Sequence, residues 1–193
     1  MSVVLPAPSR PSTVINTRGS VTMPPVPNSV ILVEGVSDQL AVEALAARRG
    51  RDLAAEGVAV IPIGGAGNIR RFVEEFAPQG IPIAALCDAG EQRDFRAALG
   101  EGVHVCDADL EDELIRCLGA AHVERIIEDQ GELGRFRTYQ NQPAQRARSV
   151  EAQLRRFMGT RGGRKIQYAP VLVGALDLAH VPRPLDGVLV PVP

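Results

Sequence analysis

The sequence predicts an α/β fold in which a mostly parallel four-stranded sheet carries helices on both faces and is followed by a C-terminal helical extension. Between residues 29 and 119, four short apolar runs rich in β-branched residues alternate with segments of helical periodicity. Such alternation is typical of parallel sheets, whose right-handed crossovers place a helix between successive strands. Beyond residue 120 only helical periodicity recurs.

The predicted elements are short and are bounded by capping and turn residues. Ser37 is the expected N-cap of the first helix, and Gly50, Gly100 and Gly119 each follow a predicted helix. The predicted strands cover residues 29–33, 58–63, 82–87 and 103–106. The predicted helices cover residues 38–49, 69–76, 92–99 and 110–118, and in the extension 121–130, 133–140, 150–158 and 165–176.

The chain divides into four segments by composition. Residues 1–28 are rich in proline without periodicity and are predicted to be a flexible lead-in. The α/β domain is expected over 29–119, and an arginine-rich helical extension over 120–180. Residues 181–193, rich in proline and valine, are expected to form a loosely ordered tail.

The composition is that of a globular protein. Apolar residues make up 45% of the chain, and no apolar run approaches the roughly 20 residues that cross a bilayer. The three cysteines lack the spacing of a zinc site and are expected to be small buried thiols of a reducing compartment. With no secretion signal in the sequence, a cytoplasmic location without membrane contact is expected.

Charge is distributed unevenly along the chain, although the net charge is only −2. Residues 29–129 contain 19 acidic and 9 basic residues, whereas residues 130–165 contain 2 acidic and 9 basic residues. An acidic body with a basic segment is what a metal-dependent enzyme acting on a polyanion would need. The alternative is that these arginines only solvate helical faces.

Carboxylates follow the predicted strands. Glu34 and Asp38 flank the turn at Gly35 after the first strand, and Asp88 follows the third. The fourth strand is followed by Asp107, Asp109 and Glu111. Ligands of parallel sheets bind outside the carboxyl ends of the strands, and all-oxygen sites suit Mg²⁺ or Mn²⁺. The sequence therefore favours a divalent-cation site, with a helix-capping cluster at Ser37 and Asp38 as the alternative.

Two further features bear on phosphate binding. The glycines of the loop after the second strand, Gly64, Gly65 and Gly67, either cradle a phosphate or form only a tight turn, and both readings stay open. Lys165 is the only lysine beside 20 arginines. It is either a point charge for a phosphate or an ordinary surface residue. A Walker A motif is absent from the sequence, so no ATPase chemistry is expected.

The segment from Glu34 to Asp38, Glu-Gly-Val-Ser-Asp, resembles the E-G-x-x-[DE] opening of the Toprim domain. The glycines after the second strand and Asp88 after the third strand follow in the order of that domain. The Leu-Glu-Asp-Glu-Leu run at 110–114 and the helix that begins near Lys165 resemble the OLD (overcoming lysogenization defect) family version. The resemblance covers roughly residues 29–176.

That resemblance implies a two-metal nuclease centre that uses Mg²⁺ or Mn²⁺. Glu34 and Asp38 would be metal ligands, Asp88 would be the first Asp of the family's D-x-D motif, and Glu111 would be a further ligand. Glu34 and Lys165 would be the catalytic residues. Gly90 occupies the position of the second Asp, so Glu91 or Asp107 would have to replace it. Because OLD proteins also carry an ATPase domain, the chain is expected to be a free-standing Toprim unit.

The expected activity is that of a metal-dependent DNA endonuclease or nickase. A separate ATPase chain and a second copy of the protein are candidate partners besides nucleic acid. Because Gly90 removes a ligand, a catalytically weakened binding or docking module is the alternative, and a small-nucleotide enzyme is a third. The arginines expected to follow the nucleic-acid backbone are Arg135, Arg137, Arg146, Arg148, Arg155, Arg156, Arg161 and Arg164.

Overall fold

A computed structural model describes residues 26–190 and contains one parallel sheet of four strands. The strands are β1 (Ser29–Val33), β2 (Val58–Pro62), β3 (Ile83–Cys87) and β4 (Val103–Val105). Their order is β2-β1-β3-β4, and every neighbouring pair is parallel. The predicted sheet is confirmed, and all four carboxyl ends meet at one edge.

Helices cover both faces of the sheet, as predicted. They are α1 (Val36–Arg48), α2 (Ile69–Phe76), α3 (Gln92–Leu99), α4 (Leu110–Leu118), α5 (Ala120–Asp129), α6 (Leu133–Gln140), α7 (Val150–Gly159), α8 (Arg164–Ala175) and α9 (Arg183–Gly187). On one face, Ile69 of α2 and Phe95 of α3 pack against Leu32. On the other, Ile31 belongs to a larger core that includes Leu172 of α8. The helical extension therefore shares its core with the sheet.

Helix α1 begins earlier than predicted, with Gly35 as its N-cap in place of Ser37. The carboxylate of Asp38 reaches back and accepts a hydrogen bond from the Gly35 amide at 2.9 Å. This contact satisfies an amide at the helix start and lets the helix follow directly after β1. Asp38 thus caps the helix, as expected, but only one of its two carboxylate oxygens takes part in this contact.

The C-terminal segment differs from the expected loosely ordered tail. Residues 183–187 form α9, and Leu185, Val188 and Leu189 are almost fully buried in the larger core. Pro182 and Pro184 fit a helix start, where a missing amide hydrogen costs nothing. The expectation is therefore wrong for residues 181–190. Residues 191–193 and residues 1–25 of the predicted lead-in lie outside the described residues.

Two other expectations can be compared with the structure. Across residues 26–190, no helix is both long enough and apolar enough to traverse a lipid bilayer. Cys87 and Cys106 are buried free thiols, as expected, whereas Cys117 is exposed.

Candidate metal centre

Glu34 lies at the end of β1, in the middle of the sheet, and is fixed from both sides. Its carbonyl oxygen accepts hydrogen bonds from the amides of Gly64 at 3.1 Å and Gly65 at 3.2 Å, both from the loop after β2. Its side-chain Oε1 accepts a hydrogen bond from the Asp88 amide, after β3, at 2.7 Å. The neighbouring strands therefore hold Glu34 at the sheet edge where ligands of parallel sheets bind.

The loop after β2 holds Glu34 in place, and the amides of its first two glycines are not available to a phosphate. Gly64 and Gly65 have φ angles of +73° and +108°, which suit glycine, and their amides are occupied by Glu34. The side chain of Asn68 closes the loop by donating to the Ile63 carbonyl at 2.8 Å. The predicted phosphate cradle is therefore wrong for Gly64 and Gly65. Gly67, in a short 3₁₀ turn, remains a prediction.

Asp38 and Asp88 share an acidic environment with Glu34. Burial raises the pKa of Asp38 to about 7, and the charges of Glu111 and Glu34 add to the effect. The pKa of Asp88 is also raised to about 7. Burial is the main cause, and the negative charges of Glu34, Asp109 and Asp38 raise it further. The pKa of Glu34 is raised by burial as well, against the hydrogen bond from the Asp88 amide. The carboxylates after β1 and β3 thus lie close enough for their charges to act on one another.

Glu111 and Lys165 meet at the same place. Glu111 is 4% exposed in the first turn of α4, and its Oε2 lies 2.6 Å from Nζ of Lys165. Burial opposes the charge of Lys165, but the contact with Glu111 and the charges of Asp109 and Asp88 together outweigh it and raise the pKa of Lys165. Helices α4 and α8 therefore bring together two residues that are 54 positions apart in the sequence.

Asp107, one of the predicted metal ligands, does not lie with the other carboxylates. The side chain of Asp107 is 77% exposed and binds Arg116 at 2.9 Å. Asp109, two residues later, is 8% exposed and is the N-cap of α4, accepting from the Asp112 amide at 2.8 Å. Its other oxygen accepts from Nε of Arg155 at 2.7 Å. The predicted role of Asp107 as a ligand is therefore wrong in this structure, and Asp109 takes its place beside the other carboxylates.

We call the set Glu34, Asp38, Asp88, Asp109 and Glu111 the acidic crevice. The potential ligand atoms of this set are all carboxylate oxygens, which is the ligand chemistry of Mg²⁺ and Mn²⁺, although Lys165 and Arg155 already pair with Glu111 and Asp109. Buried like charges are unfavourable without a compensating cation, so a divalent ion fits the donor set. In residues 26–190, however, no three Asp, Glu, His or Cys side chains already converge on one ion position. Binding would thus require side-chain rearrangement.

Gly90 and Glu91 follow Asp88 in a short 3₁₀ turn. A Cβ atom added to Gly90 would meet no atom within 4 Å, so this position has room for a larger side chain. The charge of Glu91 contributes to the raised pKa of Glu34, which indicates that Glu91 lies near the crevice. The turn therefore has unfilled space at residue 90, where the D-x-D motif has its second Asp, and the carboxylate of Glu91 lies close by.

One of the arginines predicted to bind nucleic acid has a structural role instead. Arg164 is 6% exposed, and its guanidinium binds Glu132 at 3.0 Å and the Phe157 carbonyl at 2.7 Å. Tyr168 also donates to Glu132, at 3.2 Å. The prediction for Arg164 is therefore wrong, because this guanidinium is enclosed between α5–α6, α7 and α8.

The other predicted arginines fall into two groups. Arg135 and Arg137 are exposed but paired with Glu132 and Glu124, and Arg155 binds Asp109 at the crevice. The remaining ones are exposed, and none forms an ion pair shorter than 3.9 Å with a described residue: Arg146, Arg148, Arg156 and Arg161. The second group is the part of the extension that is free to contact a polyanion.

Comparison with known proteins gives a family match and several fold matches. Residues 28–89 match the family model described as overcoming lysogenization defect protein-like, TOPRIM domain. No match was found among curated protein sequences.

Two solved structures cover most of the chain. The C-terminal region of the Xanthomonas campestris pv. campestris OLD protein is 22% identical, with a TM-score of 0.63 over 84% of this chain and 93% of that one. The C-terminal region of the Burkholderia pseudomallei OLD protein is 20% identical, with a TM-score of 0.62 over 84% of this chain and 95% of that one. At these identities the likeness is one of fold, and it includes the helical extension.

Proposed function

We propose that this chain, whose residues 28–89 form an OLD-like Toprim domain, is a divalent-metal-dependent phosphodiester hydrolase that cuts or nicks DNA. The observation that carries the proposal is the acidic crevice, in which Asp38 and Asp88 both have a pKa of about 7. A purely structural cluster would be expected to pair every carboxylate with a cation, but among the described residues only Asp109 and Glu111 have such partners, Arg155 and Lys165. Titratable groups perturbed by burial and by one another are typical of functional sites.

Glu34, Asp38, Asp88 and Glu111 would hold one or two Mg²⁺ or Mn²⁺ ions. A bound ion would supply positive charge against the negative charge that develops on a phosphodiester during displacement. The chain's own contribution is to hold these oxygens in place, and the contacts around Glu34 are the clearest case. Its carbonyl and its carboxylate are each held by backbone amides of the loops that follow the neighbouring strands, so Glu34 itself needs little ordering when an ion binds.

Lys165 would stabilise charge on the phosphate. It is bonded to Glu111 at 2.6 Å, and its raised pKa keeps the ammonium group protonated at neutral pH. A substrate phosphate can compete for that ammonium group, and Glu111 would then be released for a metal ion. In this way one side chain would couple arrival of the substrate to completion of the ligand set.

The proposed substrate is DNA because an exposed basic surface adjoins the crevice. The exposed arginines of the extension would contact backbone phosphates without reading sequence. Arg155 connects the two regions, since it lies on α7 and binds Asp109 of the crevice at 2.7 Å. DNA following the extension would therefore reach the carboxylates.

Replacement of Glu34 by Gln tests the proposal. The matched control is Glu43→Gln, the same substitution at an exposed position of α1. With Mn²⁺ or Mg²⁺, wild type and Glu43→Gln should nick supercoiled plasmid, whereas Glu34→Gln should lose at least about a hundredfold in rate. Equal nicking by all three proteins, or no metal-dependent nicking by wild type, would contradict the proposal.

A weakened binding module is the second candidate, favoured by two observations. Gly90 supplies no carboxylate, and Lys165 already occupies an oxygen of Glu111. Calorimetric titration with Mn²⁺ distinguishes the candidates. Two bound ions favour the enzyme, whereas DNA binding without any Mn²⁺ binding favours the module.

A further inference from the structure

A cavity lies beside the acidic crevice, between the first turn of α1 and the loop that joins α7 to α8. Its volume is about 370 Å³, within the range of small-ligand sites. Lys165 lines this cavity and also binds Glu111 of the crevice. The two sites are therefore neighbours that share one side chain, although none of the five crevice carboxylates lines the cavity.

The charge of the cavity is positive. Arg161 and Lys165 line it, and among the described residues no Asp or Glu does. Arg161 is 64% exposed and lies 3.9 Å from Glu132, too far for a strong pair. Its guanidinium is therefore available to an anion in the cavity.

The loop adds backbone donors to these cations. Gly162 and Gly163 line the cavity, and neither amide donates to an acceptor within residues 26–190. Gly163 has a φ angle of +82°, a conformation that suits glycine, and it is the N-cap of α8. Free amides at the start of a helix of 12 residues support anion binding, in addition to the two basic side chains.

The opposite part of the cavity is apolar. Val36 and Ile166 line it, and they are 45% and 42% exposed, among the few large apolar side chains exposed in the described chain. Exposed aliphatic groups next to anion donors suit a ligand that is charged at one end and apolar at the other. A nucleotide has this form, because its phosphate is charged and its base presents flat, weakly polar faces.

We propose that this cavity is a subsite for one nucleotide of the substrate, next to the phosphodiester that is cut. Its phosphate is bound by Arg161 and the loop amides, beside Lys165, and its sugar and base lie against Val36 and Ile166. The proposal rests on the proposed function for the identity of the substrate. It adds that one nucleotide beside the cut occupies a defined site.

Binding of thymidine 3′,5′-bisphosphate to the whole protein in EDTA tests the subsite without metal or catalysis. Arg161→Ala should weaken binding roughly tenfold or more, since a hydrogen bond to a charged group is lost. Its matched control is Arg135→Ala, because Arg135 is equally exposed at 67%, contacts the same Glu132 and lies outside the cavity. The control should bind within about twofold of wild type.

A second pair of variants separates a built site from diffuse charge attraction. Ile166→Asp places a carboxylate in the cavity at the third position of α8, where Asp is tolerated by the helix. Val150→Asp makes the same change of charge at an exposed position in the first turn of α7. Ile166→Asp should abolish binding of the bisphosphate, and Val150→Asp should leave most of it. Equal weakening by both variants, or no saturable binding by wild type, would overturn the subsite.

Bisphosphate binding and DNA nicking can fail independently of each other. Glu34→Gln should bind the bisphosphate in EDTA as wild type does, because Glu34 does not line the cavity. If wild type binds the bisphosphate but never nicks DNA, the subsite stands and the proposed function fails. If nicking depends on Glu34 while Arg161→Ala and Ile166→Asp keep the wild-type KM, the proposed function stands and the subsite fails.

Discussion

Two clusters of enclosed carboxylates lie in the same protein and have opposite electrostatics. Glu132 is 5% exposed, and its hydrogen bond from Arg164, supported by Arg135 and Tyr168, lowers its pKa. In the acidic crevice, by contrast, burial and neighbouring carboxylates raise the pKa of Asp38 and Asp88 to about 7. In the first cluster, the charge of Glu132 is balanced by arginines of the same chain. In the second cluster, Arg155 pairs with Asp109 and Lys165 with Glu111, but no cation among the described residues pairs with Asp38 or Asp88. For this reason we assign a structural role to the first cluster and propose cation binding for the second.

Removal of Arg164 should break the first cluster and give the largest effect. Arg164→Ala leaves Glu132 buried beside Tyr168 without its main partner, and should cost about 3–5 kcal/mol of unfolding free energy. Arg135→Ala removes a partner of the same carboxylate from the surface, where the ion pair is 3.1 Å long, and should cost under about 1 kcal/mol. Urea denaturation measures both. Equal losses would mean that the buried position of Arg164 is not what stabilises the cluster.

Adding a carboxylate to the second cluster should strengthen it as a metal site. Gly90→Asp restores the second Asp of D-x-D at a position where an added Cβ meets no atom within 4 Å. Affinity for Mn²⁺ should rise about tenfold, or about 1.4 kcal/mol. Ala89→Asp adds the same charge in the same turn and serves as the control. If titration calorimetry gives equal gains for both variants, the effect is one of general charge and not of a ligand position.

The pH dependence of stability should show the smallest effect and the clearest sign. An unfolded Asp loses its proton near pH 4, whereas Asp38 and Asp88 in the metal-free fold keep theirs until about pH 7. Stability should therefore fall as the pH rises from 5 to 8 in EDTA, by about 1 kcal/mol given partial solvent exposure. The lowered pKa of Glu132 changes stability only at pH values below the ordinary pKa of a Glu side chain. It therefore does not contribute to the slope between pH 5 and 8.

Denaturation in EDTA at pH 5 and pH 8 measures this slope. Asp38→Asn, which cannot ionise at residue 38, should show a smaller loss between the two pH values than wild type. Burial lowers the pKa of His104, which acts in the opposite direction in this interval, so the comparison with the variant decides. A wild-type loss no larger than that of Asp38→Asn would contradict the raised pKa of Asp38.

The carboxylates after β1 and β3 could be predicted from sequence because strand order and direction determine where they lie. Short apolar runs that alternate with helices give a parallel sheet, and parallel strands bring Glu34 and Asp88 to one edge. The glycine loop was only half predictable. Its turn follows from composition, but the use of the Gly64 and Gly65 amides by the Glu34 carbonyl depends on the pairing of β1 with β2.

Other features depended on contacts that a local pattern does not contain. Asp107 and Asp109 differ by two positions, and which of them faces the crevice is decided by where α4 begins. Arg164 resembles any arginine of a basic segment, but its partner Glu132 lies 32 residues earlier. The order of the C-terminal segment likewise depends on the core that Leu185 enters.

The central claim is that the raised pKa values belong to groups that a divalent ion binds, and proton release on Mn²⁺ binding tests it most directly. Calorimetry in buffers of different ionisation enthalpy counts the protons released. At pH 6, where Asp38 and Asp88 are largely protonated, binding should release between about one and two protons per protein, and at pH 9 close to none. Mn²⁺ binding with the same proton count at both pH values, or no binding at either, would contradict the account.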